Sequence, residues 1–181
     1  MIRPATQADL PAIRDLQIAS WRRTYHGILP DTFLGAPVAE VLSRRWSEWP
    51  GPDWLIETAW DGAALVGFVA IDRAHAGGAY VDNLHVSAAR QGRGIGRRLM
   101  SRAAHILARD GHATLWLTVI RENAATRAFY RRLGGTEGPD RHEELYGQPV
   151  TTRVIRWSDL PGLACLAEKP VKTRPDASDP A

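Results

Sequence analysis

The sequence lacks the residues on which several classes of protein depend. Its 181 residues include one cysteine, Cys165, which excludes an intramolecular disulfide framework and a cysteine-based zinc cluster. No stretch approaches the ~20 consecutive apolar residues of a membrane helix. The N-terminal Met1-Ile2-Arg3-Pro4 lacks the apolar segment of a secretion signal. We therefore expect a cytoplasmic protein with no membrane partner and no metal site.

Lysine is nearly absent, because the chain has two lysines, Lys169 and Lys172, against 21 arginines. A P-loop needs Gly-Lys-Ser/Thr, so the body of the protein cannot contain one. The net charge of +3 does not indicate a nucleic-acid partner. Residues 90–132, however, hold ten arginines and two acidic residues. This local excess favours either a site for a polyanion, such as phosphate or a nucleotide, or a solvated helix face.

The remaining pattern is that of a mixed α/β domain with one hydrophobic core. Alternating and helical periodicities predict the order β-α-α-β-β-β-α-β-α-β(-β). The expected strands cover 1–5, 54–60, 64–72, 79–87, 114–120 and 150–157, and the expected helices cover 10–23, 31–49, 95–110 and 123–133. We assign residues 1–157 to the domain and 158–181 to a Pro-rich tail, disordered from about 169. Within that tail, 160–166 retains enough apolar residues to dock on the body.

Three alternate glycines separate the fourth strand from the following helix. Glycine allows a positive φ and a close approach of a ligand to the backbone. The first N–H groups of a helix are unpaired and carry the positive end of its dipole. The loop therefore predicts a pyrophosphate cradle made of Gln91, Gly92, Arg93, Gly94, Ile95, Gly96 and Arg97. A dinucleotide-binding fingerprint is excluded, because it would require glycine at the position of Arg97. The alternative to a cradle is a tight turn that binds no ligand.

This loop also resembles the acyl-CoA motif of the GNAT superfamily of N-acetyltransferases. Gln91-x-x-Gly94-x-Gly96 follows a strand that ends in Leu84-His85-Val86. A second match, Asn123-x-x-Ala-x-x-Phe129-Tyr130-x-x-Leu133-Gly134, follows the next strand in the family's order. The resemblance covers roughly residues 1–157. It implies a GNAT-like mixed, mostly antiparallel central sheet flanked by helices.

The resemblance also implies a co-substrate and a mechanism. Acetyl-CoA would lie where the fourth and fifth strands splay apart, with its pantetheine arm on the backbone of Leu84, His85 and Val86. The glycine loop would hold the pyrophosphate, and Asn123 would bind the cofactor from the next helix. An amine would attack the thioester directly, through a tetrahedral intermediate that the Val86 N–H stabilises. Tyr130 occupies the family's general-acid position, from which it would protonate the leaving thiolate.

The general base departs from the family's pattern. Related enzymes carry a glutamate at one of two positions, which are Thr118 and Tyr80 in this chain. Asp82 lies two residues beyond Tyr80 on the same strand face and is the best candidate, whereas strict alternation sends His85 to the opposite face. The alternatives are an Asp82 that is simply paired with an arginine, and an ordered water as base.

The acceptor is expected between two loops, 21–30 and 141–149. Trp21, Tyr25 and Tyr146 suit an apolar or aromatic acceptor, and Glu143 and Glu144 suit a cationic amine. We therefore predict an N-acetyltransferase that acts on a primary amine of a small molecule, as a monomer or a homodimer. A protein N-terminal or lysine acetyltransferase, less favoured because of Thr118, and a non-catalytic acyl-CoA-binding module are the alternatives.

Overall fold

A single seven-stranded sheet organises the chain. The computed structural model describes residues 1–168. Its strands lie in the order β1-β2-β3-β4-β5-β7-β6. They are β1 Ile2–Pro4, β2 Trp54–Asp61, β3 Ala64–Asp72, β4 Ala79–Val86, β5 Leu115–Ile120, β6 Thr136–Leu145 and β7 Gln148–Trp157. All neighbours pair antiparallel except β4 and β5, which confirms the mostly antiparallel sheet.

Helices cover both faces of this sheet. They are α1 Leu10–Thr24, α2 Asp31–Leu34, α3 Ala36–Arg45, α4 Ile95–Arg109, α5 Ala124–Arg132 and α6 Leu160–Ala164. The apolar stripe of α4, with Leu99 and Leu107 fully buried, packs on one face together with α5. On the other face α1 and α3 pack on the sheet, where Ile13 and Trp46 share a cluster with Phe68. None of the helices within residues 1–168 has both the length and the apolarity needed to cross a membrane.

The long second helix that the sequence suggested is two helices. α2 ends at Leu34 and α3 begins at Ala36, because the backbone of Gly35 between them is not helical. Pro37, in the first turn of α3, has no N–H to continue the hydrogen bonds of α2.

The sixth strand lies where a loop was expected. β6 pairs with β7 as the edge strand of the sheet, and a two-residue turn, Tyr146-Gly147, joins them. Its sequence gives no alternating apolar signal because most of its side chains are exposed. Pro139 sits where the register shifts between Glu137 and Asp140, and edge strands with such irregularities tolerate proline. The sheet therefore has the seventh strand that the predicted order allowed, but this strand comes before residues 150–157 and not after them.

Two irregularities of β4 open the molecule for a ligand. The register between β3 and β4 shifts after the pair Ala70–Asn83, so Asp82 is an extra, bulged residue. On its other side β4 pairs with β5 only at Ala79 and Tyr80. The two strands part beyond Tyr80, and a cleft forms between them as the family resemblance implied.

Part of the segment expected as a tail is packed on the body. α6 and the following single turn, Cys165–Glu168, lie against α4. Leu160 and Leu163 are buried there, and Ser101 Oγ donates to the Leu163 carbonyl at 2.9 Å. The domain boundary at 157 stays a prediction, and the disorder expected from about 169 concerns residues outside the described range.

Candidate active site

The glycine loop forms an open cradle at the start of α4. Gly92 and Gly94 have φ values of 75° and 74°, in the left-handed region that residues with a Cβ rarely adopt. No described atom lies within 4 Å of the position that a Cβ of Gly92 would take. Since Gly94 caps α4, the first free N–H groups of that helix face the same space. The loop therefore has the geometry of an anion site.

Gly96 is required for a different reason, which is steric. A Cβ there would lie 3.2 Å from Phe129 Cζ and 3.7 Å from Val86 Cγ2. Arg97, which lines the same cavity of about 420 Å³, has a buried Nε without a partner among the described residues. Free N–H groups and an unpartnered cationic donor around one cavity fit a phosphate-bearing ligand such as coenzyme A.

Two members of the predicted cradle play a different part in it. The Ile95 side chain is buried in the core, so that only its backbone can serve a ligand. Arg93 is exposed and lines a neighbouring surface cavity together with Arg90 and Arg98. All the loop residues except Arg93 line the cradle, and Gln91 Nε2 donates to the Val86 carbonyl at 3.2 Å.

The gap between β4 and β5 connects this cradle with a deeper cavity. Leu84 and Val86 line both cavities. The ring of His85 turns toward α1, where its Nδ1 lies 2.9 Å from Ser20 Oγ. Asn123 caps α5 by accepting the Thr126 N–H at 3.2 Å through Oδ1. Its Nδ2 donor has no partner among residues 1–168, which suits the predicted contact with a ligand.

Tyr130 lies where the two cavities meet, since it lines both. The rings of Phe129 and Trp157 hold it edge-on, with centroids at 5.1 and 5.7 Å. Burial raises the pKa of the Tyr130 phenol well above its usual range, and the nearby Tyr25 and Tyr80 raise it further. The hydroxyl is therefore protonated at neutral pH, as a general acid must be, but the raised pKa also makes it a weaker proton donor.

Asp82 lines the deeper cavity and is also part of an ion pair. Its Oδ2 accepts from Arg45 Nη2 at 3.2 Å, and about a third of its side chain is exposed. Burial raises the pKa of the Asp82 carboxyl, while Arg45 lowers it. Arg45 is held between the rings of Trp46 and Trp54, 4.9 and 4.5 Å from their centroids. The candidate base is thus a carboxylate with a fixed counter-charge.

The alternation argument for His85 is wrong. Asp82 contacts Arg45 of α3 and His85 contacts Ser20 of α1, and both helices pack on the same face of the sheet. The bulge at Asp82 shifts the alternation of β4 by one residue. Burial lowers the pKa of His85 to about 4, and the charge of Arg23 lowers it further. The imidazole is therefore neutral at neutral pH.

Sequence reasoning missed a buried polar chain beneath this cavity. Trp46 Nε1 donates to Gln17 Oε1, and Gln17 Nε2 donates to Asn83 Oδ1, both at 2.6 Å. Asn83 Nδ2 in turn donates to Asp82. Gln17 lies one turn after Ile13, on the apolar side of α1. A polar residue at such a position indicates a buried hydrogen bond, and this was the signal in the sequence. The chain fixes the orientation of the Asp82 carboxylate.

The deeper cavity, which we call the acceptor cavity, has a volume of about 270 Å³. Trp21 and Tyr25 line it from the end of α1, and Glu143 and Tyr146 line it from the β6–β7 hairpin. The two segments that were expected to form the acceptor wall therefore meet at one cavity.

Known proteins resemble this chain in sequence and in fold. A sequence model of the Acetyltransferase (GNAT) family matches residues 11–135. The uncharacterized N-acetyltransferase YuaI of Bacillus subtilis is 23% identical over 174 residues, which are 93% of this chain and 98% of that protein. The mycothiol acetyltransferase of Beutenbergia cavernae is 38% identical over 119 residues, 64% of this chain and 39% of that protein.

Among solved structures, the PaiA N-acetyltransferase of Thermoplasma acidophilum, in complex with coenzyme A, has the same fold. The TM-score is 0.67 at 23% identity, over 84% of this chain and 96% of that one. The span of the family match includes both the glycine loop and the helix that carries Tyr130.

Proposed function

This chain belongs to the GNAT family of acetyltransferases, and we propose that it transfers the acetyl group of its co-substrate, acetyl-CoA, to a primary amine of a small molecule. One observation carries the proposal: Tyr130 lines both the anion cradle and the acceptor cavity. At that junction a proton donor can reach the thiolate of coenzyme A, which is released on the cradle side. It can also reach the amine, which enters through the acceptor cavity.

Backbone groups and one arginine would hold acetyl-CoA. The N–H groups at Gly92, Gly94 and Gly96 bind the pyrophosphate, and Arg97 adds a positive charge. The backbone of residues 84–86 binds the pantetheine arm along the gap between β4 and β5. Asn123 contributes its free Nδ2 from the start of α5. Bound in this way, acetyl-CoA supplies an activated thioester at the mouth of the acceptor cavity.

Three groups of the chain would then act on protons and charge. Asp82 accepts a proton from the incoming ammonium, directly or through water. The Val86 N–H stabilises the oxyanion that develops when the amine attacks the thioester carbonyl. Tyr130 gives its proton to the sulfur as the thiolate leaves, and the resulting phenolate takes up the second proton that the acylated nitrogen loses.

The size of the acceptor cavity favours a small molecule over a protein. Its volume of about 270 Å³ lies slightly below the ~300–1,000 Å³ typical of pockets for drug-sized ligands. The end of α1 lines the cavity on one side and the β6–β7 hairpin lines it on another. A peptide chain would need a groove that continues at both ends.

Mixing the purified protein with acetyl-CoA and separate amine classes tests the proposal. The classes are small amines, peptides with a free N-terminus and peptides with an internal lysine, and the readouts are free thiol and acetylated product. We expect turnover with small amines. Turnover with peptides alone would identify a protein acetyltransferase, and binding of acetyl-CoA without turnover of any amine would identify an acyl-CoA-binding module.

A further inference from the structure

All tyrosine side chains of the protein lie around the acceptor cavity. The chain has four tyrosines, and each of them lines the acceptor cavity: Tyr25, Tyr80, Tyr130 and Tyr146. They come from the end of α1, from β4, from α5 and from the β6–β7 turn. The mechanism above uses Tyr130 alone, so the other three rings need a separate explanation.

Tyr146 adopts a backbone conformation that its side chain disfavours. It is the one non-glycine residue of 1–168 with a positive φ, 49°, and it is followed by Gly147 at 80°. Two-residue hairpin turns of this kind strongly favour asparagine, aspartate or glycine at both positions. A bulky residue at the first position is strained, and strain of this kind concentrates at functional sites.

The strained turn places an exposed ring beside buried ones. The Tyr146 ring lies 5.7 Å from Trp21 and 6.5 Å from Phe33, centroid to centroid. Trp21 in turn packs edge-on against Tyr25 at 5.1 Å. Tyr146 is nevertheless 44% exposed. Trp21, Tyr25 and Tyr146 thus form an aromatic wall on one side of the acceptor cavity, with its outermost ring still open to a ligand.

A carboxylate without a cationic partner lies on the same hairpin. Glu143 is half-buried, and its Oε2 accepts from Thr152 Oγ1 at 2.8 Å. Within the described part of the chain, Asp82 is paired with Arg45, whereas no ion pair includes Glu143. Burial raises the pKa of the Tyr80 phenol, and the nearby charges of Asp82 and Glu143 raise it further.

We propose that the β6–β7 hairpin selects the acceptor: Glu143 binds the ammonium of a primary amine whose flat apolar body packs on the aromatic wall. This inference rests on the proposed function. An ammonium supplies the missing counter-charge of Glu143, and aromatic faces attract both apolar rings and cations. An acceptor with a carboxylate beside its amine is disfavoured, because the unpaired charge of Glu143 repels that carboxylate. The substrate class is therefore an arylalkylamine without an acidic group.

Three probes test the selectivity of the parent protein. We expect kcat/KM for 2-phenylethylamine to exceed that for ethylamine, which lacks the ring, by at least tenfold. Phenylalanine, which keeps the ring and adds a carboxylate, should be the poorest of the three. Equal values for 2-phenylethylamine and ethylamine, or efficient acetylation of phenylalanine, would overturn the proposal.

Glu143→Gln removes the charge and keeps the size of the side chain. We expect KM for 2-phenylethylamine to rise at least tenfold while the dissociation constant of acetyl-CoA stays the same. Glu40→Gln is the matched control, because Glu40 is an exposed acid on α3 away from the cavity. If both variants have the same KM, Glu143 does not bind the acceptor.

Tyr146→Asn separates a functional role from a structural one. Asparagine relieves the strain of the turn, so the melting temperature should rise or stay the same. The loss of the ring should nevertheless raise KM for 2-phenylethylamine severalfold more than KM for ethylamine. Tyr146→Phe, which keeps the ring, should restore the parent KM. An unchanged KM in the asparagine variant would show that the ring contributes only to the fold.

Failure of the proposed function is distinguishable from failure of this inference. If the parent acetylates no amine, the proposed function is wrong, and the inference is then judged by binding. Titration calorimetry with 2-phenylethylamine should show saturable binding to the parent that Glu143→Gln weakens and Glu40→Gln does not. Absence of binding to the parent would overturn the inference as well.

Discussion

The Tyr80 hydroxyl lies 3.1 Å from Thr118 Oγ1, and this contact joins the last paired residue of β4 to a residue of β5 that lies beyond the pairing. These are the two positions at which the family resemblance leads one to expect a glutamate base. Burial raises the pKa of the Tyr80 phenol, so the pair is neutral at neutral pH. The incoming ammonium then needs another proton acceptor, and our proposal assigns that role to Asp82, which lines the acceptor cavity together with Glu143 and Glu144.

Arg45 should determine the pH below which Asp82 is protonated and can no longer act as a base. Arg45→Met removes the charge that lowers the pKa of Asp82, so that pKa should rise further. Because a protonated carboxyl cannot act as a base, activity falls as the pH drops through the pKa. The acidic limb of the kcat/KM profile should therefore move to higher pH.

The control for this shift is Arg44→Met, which removes an exposed arginine from the same helix and should leave the limb unmoved. Asp82→Asn should abolish the limb. An acidic limb that stays in place in both Arg45→Met and Asp82→Asn would assign the proton to ordered water instead.

Tyr130→Phe keeps the ring that packs against Phe129 and Trp157 but removes the proton. We expect kcat to fall by ~10²–10⁴-fold, the usual contribution of a general acid. The melting temperature and the dissociation constant of acetyl-CoA should not change, because the packing contacts remain. A parent-like kcat, measured in single turnovers so that product release does not limit the rate, would reject the role.

A matched pair of glycines tests the cradle. Gly92 and Gly111 have φ values of 75° and 86°, and neither has an atom within 4 Å of its would-be Cβ. Alanine should therefore cause similar backbone strain at both positions. We expect Gly92→Ala to raise the dissociation constant of acetyl-CoA at least tenfold and Gly111→Ala to leave it unchanged. Similar constants for the two variants would place the pyrophosphate away from the loop.

Two truncations test where the domain ends. A chain that stops at Trp157 loses Leu160 and Leu163, which are buried against α4, and each contributes ~1.5–3 kcal/mol to stability. Its melting temperature should fall markedly. A chain that stops at Glu168 should keep the parent's melting temperature and acceptor KM. If the chain that stops at Glu168 binds the acceptor more weakly than the parent does, residues 169–181 take part in binding the acceptor.

The sequence by itself predicted the parts of the site that are local in the chain. The glycine loop and the helix that carries Tyr130 are each a strand, a turn and the start of a helix, and their backbone requirements follow from residues a few positions apart. The same holds for the buried strand β3, whose bounds, Ala64–Asp72, agree with the prediction because its apolar run is continuous. Family membership followed from these local patterns.

Only the tertiary structure decided what surrounds the acceptor. The bulge at Asp82 brings His85 to the same face, and no pattern within β4 signals it, because a bulge depends on the register with β3. The edge strand β6 is largely exposed to solvent and carries few apolar residues. Its sequence therefore shows no alternating apolar pattern that would predict a strand. Tyr146 packs against Trp21, and Glu143 lines the same cavity as Trp21, although more than a hundred residues of chain separate them. Such contacts arise from the packing of α1 and the hairpin at one end of the sheet, which the local sequence does not encode.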